Sequence, residues 1–247
     1  MPIAKKLDKV IKSFLPKKML NPLFWTKKGE LRPEVRIILI RAAASFIHAW
    51  PLEELPEILD VTFTGSLAAF NWSSFSDIDL HVVIRYSDVN DDVVLVDKFF
   101  ALVKFRWNRI HDIKLHGFEV ETYVEDVNNT PISTGVFSVM KNEWIKEPTY
   151  EDPDYDEKDV TAKANYFINV YQHLLDMFNK GARDQVIEAI DKIKEKIKRM
   201  RKSGLQKGGE FSVENLAFKV LRRTDILEKM NDLQTLASDK KVVGENE

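Results

Sequence analysis

The stretch Thr64-Gly65-Ser66-Leu67-Ala68-Ala69-Phe70-Asn71-Trp72-Ser73-Ser74-Phe75-Ser76-Asp77-Ile78-Asp79-Leu80-His81 decides how this chain is read. Aspartate is disfavoured in strands, yet Asp77 and Asp79 open the most β-prone run of the sequence, residues 77–85, which carries Ile78, Leu80, Val82, Val83 and Ile84. Strand side chains alternate, so positions i and i+2 share a face with Cα atoms about 6.5–7 Å apart. Two carboxylates held that way repel each other and bury poorly unless a cation lies between them. Oxygen-only ligands at this separation suit Mg²⁺, or a pair of ions ~3.5–4 Å apart of the kind used in phosphoryl transfer. The plain alternative is a solvent-facing strand edge with two acids on it.

Gly65-Ser66 shifts that balance. It follows a short β-rich run, residues 61–64, and precedes a segment that can begin a helix, residues 67–70. Glycine there permits close backbone approach, and exposed N–H groups with the Ser66 hydroxyl form an anion site suited to a nucleoside triphosphate. A lone Gly-Ser pair is only a turn signal, whereas one followed ten residues later by two strand aspartates is specific. A third acid is expected to complete such a site. Phe118-Glu119-Val120-Glu121-Thr122-Tyr123 offers Glu119 and Glu121, which alternation places on one face of a further strand.

Outward from this core, the organisation follows from periodicity. Residues 3–15 read as a basic amphipathic helix with Ile3, Leu7, Val10, Ile11 and Leu15 on its apolar side. Pro33 sits in the first turn of a helix whose apolar positions run from Val35 through Phe46 to Trp50. A helix through Val94, Phe99, Phe100, Val103 and Trp107 follows the aspartate strand. Residues 135–140 and 144–145 read as a hairpin turning at Lys141-Asn142. Beyond an acidic stretch, residues 147–159, three helical stripes follow: Val160 to Phe178, Val186 to Met200 with an end near Gly204, and Val213 to Leu227. The expected fold is α+β, a mixed sheet with flanking helices over residues 1–150 that includes the basic N-terminal helix, then a helical domain over residues 151–247.

Composition narrows the function classes. Among 247 residues there is no cysteine, which excludes disulfide scaffolds, cysteine-ligated metal sites and thiol catalysis and fits a reducing cytoplasm. No apolar run has the length of a membrane span, and the lysine-interleaved N-terminus lacks the apolar core of a secretory signal. The net charge is −2, but eleven Lys and Arg up to Arg41 face only Asp8, Glu30 and Glu34, and residues 192–207 are basic again. Such runs are ordinarily solvated faces, and two of them can also frame a groove for a polyanion. The five histidines show no metal spacing, and no Gly-X-Ser-X-Gly elbow or phosphate loop of the Walker type is present. His81, two residues after Asp79, can face the same cleft as a substrate contact, although a partly buried strand histidine is the commoner case. Trp72 and Tyr123 can stack on a base, and Lys163 can reach a triphosphate, though packing and solvation are the commoner fates of such residues.

The motif Gly65-Ser66, ten residues, Asp77-Ile78-Asp79-Leu80 and a later acidic strand resembles the nucleotidyltransferase superfamily of DNA polymerase β, poly(A) polymerases, oligoadenylate synthases and cyclic-dinucleotide synthases. Phe118-Glu119-Val120-Glu121 is similar to the third-strand pattern of the oligoadenylate-synthase-like members, which favours Glu121 over Glu119. The surroundings of Trp72 and residues 133–138 resemble nucleotidyltransferases of tailed bacteriophages, which implies a host-cytoplasmic protein. The resemblance implies a metal-dependent nucleotidyltransferase. Asp77, Asp79 and Glu121 would be catalytic and hold Mg²⁺ or Mn²⁺, and Gly65 and Ser66 would grip a nucleoside triphosphate such as ATP. The acceptor hydroxyl would come from RNA, a nucleotide or a protein side chain. Two other readings are a binding module of the same fold without turnover and a partner-dependent toxin-type or accessory protein.

Overall fold

In the computed structural model, residues 3–130 and 133–243 are described, with side chains from Leu7 onward. Ile3, counted above on an apolar face, therefore has its side chain outside the described residues. The chain divides into two compact units, one spanning Leu15–Asp152 and the other joining the residues up to Phe14 to those from Pro153.

The first unit is built on a six-stranded sheet. Its strands are β1 (Asp60–Thr64), β2 (Ile78–Ile84), β3 (Lys114–Leu115), β4 (Phe118–Asp126), β5 (Val136–Ser138) and β6 (Glu143–Lys146), in the spatial order β3-β4-β2-β1-β5-β6. β2 and β4 run parallel and every other pairing is antiparallel, so the sheet is mixed. The parallel pair needs a crossover, supplied by α3 (Val93–Ile110). The side chain of Asp92 caps α3 by accepting from the Leu95 N–H at 3.0 Å.

β2 alternates as its sequence requires: Ile78, Leu80, Val82 and Ile84 are fully buried, and the positions between them are half-buried. The buried row packs beneath α2 (Pro33–His48) and α3, through Val35, Leu39, Ala43 and Phe46 of the one and Val96, Phe100 and Trp107 of the other. Ile38 departs from the expected apolar stripe and lies on the solvent side of α2. The hairpin of β5 and β6 turns where expected, with Asn142 at φ +60°. Beyond Val120, β4 has no strand on its outer side. The Asn108 amide from α3 takes that place, accepting from the Thr122 N–H at 3.1 Å and donating to the Thr122 carbonyl at 3.2 Å.

The second unit is helical: α1 (Ile3–Lys12), α4 (Glu157–Asn179), α5 (Arg183–Gly208), α6 (Val213–Arg223) and α7 (Ile226–Val242). Its core collects Phe167, Ile168, Val186, Ile190, Ile197, Leu221, Ile226 and Met230.

Three expectations need correction here. The basic N-terminal helix belongs to this unit rather than to the sheet unit. Leu7, Val10, Ile11 and Phe14 are buried where α1 packs on α4 and α6, while Leu15 is exposed. Gly204 does not end the second stripe. It lies inside α5, where a Cβ would fall 2.5 Å from Glu214 Cβ and 2.8 Å from Ser212 Oγ, so the missing side chain permits close approach of the next helix. The third stripe is two helices, because Asp225 at φ +63° breaks the chain between α6 and α7. Among the described residues, no helix is long and apolar enough to cross a membrane.

Candidate metal centre

Parallel register places the site. Asp79 on β2 pairs directly with Glu121 on β4, and the next same-face pair is His81 with Tyr123. Asp77 stands one residue before β2 on the same face. One ligand oxygen from each of Asp77, Asp79 and Glu121 lies within 4.8 Å of the others, and all three residues are half-buried. Three converging carboxylates form an oxygen-only donor set that can hold a metal ion.

Glu121, not Glu119, completes the group. Glu119 is exposed, pairs in register with Lys114 of β3, and has its carboxylate 3.6 Å from the Lys114 ammonium.

Gly65 fits the group from the neighbouring strand. Its φ is +78°, and a Cβ built there would lie 1.8 Å from Asp79 Oδ2. The α-carbon therefore forms a wall against which the Asp79 carboxylate rests, and only glycine leaves that space. Ser66 begins a short 3₁₀ turn, and its hydroxyl donates to Ser76 Oγ at 2.7 Å; Ser76 Oγ also accepts from the Ser73 N–H at 3.0 Å. The Gly-Ser turn is thus tied to the residue immediately before Asp77.

Two expected anion donors, the Ser66 hydroxyl and the Gly65 N–H, are already engaged. The Gly65 N–H donates to Ser133 Oγ at 3.1 Å, and the Ser133 hydroxyl in turn donates to the Gly135 carbonyl at 2.9 Å. In sequence, Ser133 figures only within a looser resemblance and has no role of its own.

Two further side chains complete the site. Tyr123 donates its hydroxyl to Glu121 Oε2 at 2.5 Å. Burial first, and then the charges of Asp79 and Glu121, push its phenol far above its ordinary value, so it remains a proton donor that orients Glu121. Lys104 of α3 sets its ammonium 3.4 Å from the centroid of the Tyr123 ring. Burial lowers its pKa, while Glu121, Asp79 and Asp77 pull it back upward. Lys104 thus supplies positive charge to a field of three acids. Sequence offers no signal for it, because a lysine on a surface helix looks like any other until the helix is docked.

The remaining candidates are bound elsewhere. His81 stacks on Tyr123 with ring centroids 4.7 Å apart, and its Nδ1 lies 3.0 Å from Glu125 Oε2. One face of Tyr123 is thereby covered by imidazole rather than open to a base. Trp72 donates its indole N–H to the Met19 carbonyl at 2.9 Å and packs on the sheet-unit core. Lys163 forms an ion pair with Glu214 within the helical unit. A depression of about 300 Å³ opens beside Glu121, bordered by Asn108, Arg109, His111 and Asp112. The chain matches no protein-family model, no curated protein and no solved structure.

Proposed function

We propose that this protein is a metal-dependent nucleotidyltransferase, which joins a nucleotide from a nucleoside triphosphate to an acceptor hydroxyl and releases pyrophosphate. One observation carries the reading: three carboxylates converge on adjacent parallel strands against a glycine whose missing Cβ makes room for one of them. Like charges so gathered are costly in a metal-free protein, and a structural role gives no reason to bring them together. Asp77, Asp79 and Glu121 would hold Mg²⁺ or Mn²⁺, which when bound supplies charge neutralisation for the phosphates and lowers the pKa of the acceptor hydroxyl.

The chain's own residues do the positioning. Tyr123 fixes the Glu121 carboxylate, and the Ser66–Ser76 bond holds the Gly-Ser turn against the aspartate strand. In the reaction the acceptor oxygen bonds to the α-phosphorus, the bond from that phosphorus to the bridging oxygen breaks, and pyrophosphate departs. The acceptor proton passes to solvent. Catalysis of this kind is positioning and electrostatics, and needs no histidine base.

The test is pyrophosphate release from each ribonucleoside triphosphate with Mg²⁺ or Mn²⁺, with and without RNA. Turnover that disappears in Asp79→Asn supports the reading. Binding of nucleotide without any pyrophosphate release assigns the protein to a non-catalytic module instead.

A further inference from the structure

One cleft of the sheet unit lies away from the carboxylates. It encloses about 610 Å³ between residues 18–32 and residues 144–148. Its rim carries Lys18, Lys27, Lys28 and Arg32 against Glu147. The three lysines are exposed, and none has an ion-pair or side-chain hydrogen-bond partner among the described residues. Lys27 and Lys28 stand on a tightly built turn. Thr26 Oγ1 accepts from the N–H groups of both Lys28 and Glu30 at 3.2 Å, and Gly29 takes φ +78° at its tip.

Rings form the other part of the wall. Trp144 is half-buried, stacks on Trp25 at 4.5 Å, and donates its indole N–H to the Gly29 carbonyl at 2.9 Å. Phe70 is half-buried and meets the ring of Tyr150 edge-on at 5.9 Å. Rigid aromatic surface beneath a rim that carries three exposed lysines is the chemistry that holds a single-stranded polynucleotide, with phosphates on the lysines and unpaired bases against the rings. A duplex hides its base faces and cannot use the rings, and a peptide of Asp and Glu has no aromatic rings to stack on them.

We infer that this cleft binds single-stranded nucleic acid. Phe70 ends the segment that begins at Gly65-Ser66, and its carbonyl accepts from the Lys17 N–H at 2.6 Å. Gly135 packs so closely on that segment that a Cβ would fall 1.9 Å from the Ala68 carbonyl oxygen, with Pro148 of the cleft wall 3.2 Å away. A strand in the cleft therefore rests against the back of the Gly-Ser segment. Its binding does not rest on the nucleotidyl-transfer reading.

The experiment measures anisotropy of a labelled oligouridylate with the full chain, in EDTA and without triphosphate. Wild type binds at low salt, with affinity falling steeply as salt rises. The double variant Lys27→Glu/Lys28→Glu, altered only at exposed positions, binds at least about tenfold more weakly, and its log–log salt slope is shallower by roughly 0.7 for each phosphate that the protein no longer neutralises. Lys198→Glu/Lys202→Glu, on the basic run of α5, binds as wild type does. The inference is overturned if wild type does not bind at low salt, or if the Lys27/Lys28 variant is unaffected. Equal competition by duplex RNA or polyglutamate overturns it as well. Asp79→Asn keeps wild-type strand affinity, which separates the two readings. A chain that binds strand but releases no pyrophosphate refutes nucleotidyl transfer alone, and one that turns over triphosphate but binds no strand refutes the cleft alone.

Discussion

The helical unit and the β2–β4 strand pair gather charge differently. In the helical unit, half-buried charges meet partners of opposite sign or complementary polarity. Lys219 lies 2.7 Å from Glu210, Lys163 pairs with Glu214, and Gln234 links Lys194 to Asp191. In the sheet unit, Asp77, Asp79 and Glu121 are gathered at half-buried positions with their oxygens within 4.8 Å of one another. A sheet face can do this because register fixes side chains on adjacent strands whether or not they attract each other. Opposite charges that meet on packed helices contribute a little stability, whereas like charges collected on a sheet repel one another, and here Lys104 of α3 supplies positive charge to them. The contrast marks the three carboxylates of the sheet unit as the candidate site.

The largest expected effect tests that contrast directly. Asp79→Asn and Glu121→Gln should each lower turnover by about 10³-fold, the several kcal/mol that ligated metal supplies to a transition state. Wild type should gain Tm with Mg²⁺ or Mn²⁺, and both variants should abolish that gain. Glu119→Gln, two residues from Glu121 on the same strand, should keep most of the activity and the full metal-dependent Tm shift. If Glu119→Gln were the inactive variant, the β2–β4 register would not be the one that builds the site.

Gly65→Ala comes next and attacks the same site through backbone. Alanine at φ +78° is strained by about 1–2 kcal/mol. Its Cβ would also collide with the Asp79 carboxylate, at 1.8 Å from Oδ2. We expect an apo stability loss of roughly 2–3 kcal/mol in urea unfolding and loss of metal binding. Stability close to wild type, with metal binding retained, would show that Asp79 is free to turn away and that the wall is not needed.

What the sequence reveals and what it conceals follow from the range of each interaction. Asp77, Asp79 and Gly65 are legible because a strand's period of two and a glycine turn are local rules. The α+β class and the positions of β1, β2, β4 and the β5–β6 hairpin are legible for the same reason. Glu121 is separable from Glu119 only by family pattern, since the physical discriminator is pairing with a strand some forty residues away in sequence. Lys104, Asn108 and Ser133 act through groups that tertiary packing brings to them, and nothing local distinguishes them from surface residues. The spacing in α1 shows that the helix has an apolar face but not which unit covers it. The break at Asp225 is not legible, because apolar spacing continues across a left-handed residue without registering it.

Ser133→Ala sharpens the comparison at lower amplitude. The Ser133 hydroxyl is both acceptor for the Gly65 N–H and donor to the Gly135 carbonyl. Its removal leaves a half-buried N–H at the Gly-Ser turn without that partner, a cost of about 1–2 kcal/mol. Urea unfolding should show that loss. Turnover should fall with KM for the triphosphate rising more than kcat declines, because the turn is loosened while the carboxylates stay in place. A fall in kcat at constant KM would mean that the loop shapes the reacting geometry itself.

The smallest effect lies in the helical unit, and its pH dependence makes it readable. The hydrogen bond from Lys163, followed by the Glu214 backbone N–H, holds the Glu214 carboxyl below its ordinary value of 4.5. A carboxylate whose pKa is depressed by folding contributes stability that is fully present above that ordinary value and lost as pH falls through the depressed one. Both side chains are 34% exposed, so solvent screening limits the contribution to about 0.2–1 kcal/mol. Glu214→Gln should therefore lower Tm slightly at neutral pH, and the gap from wild type should close as pH drops below 4.5, where wild type loses the same charge. Metal-dependent Tm shifts, which belong to the sheet unit, should be unchanged in this variant. A gap that widens on acidification would mean that the Lys163–Glu214 pair is not what stabilises the ionised carboxylate, and the account of opposite charges pairing in the helical unit would fail at this position.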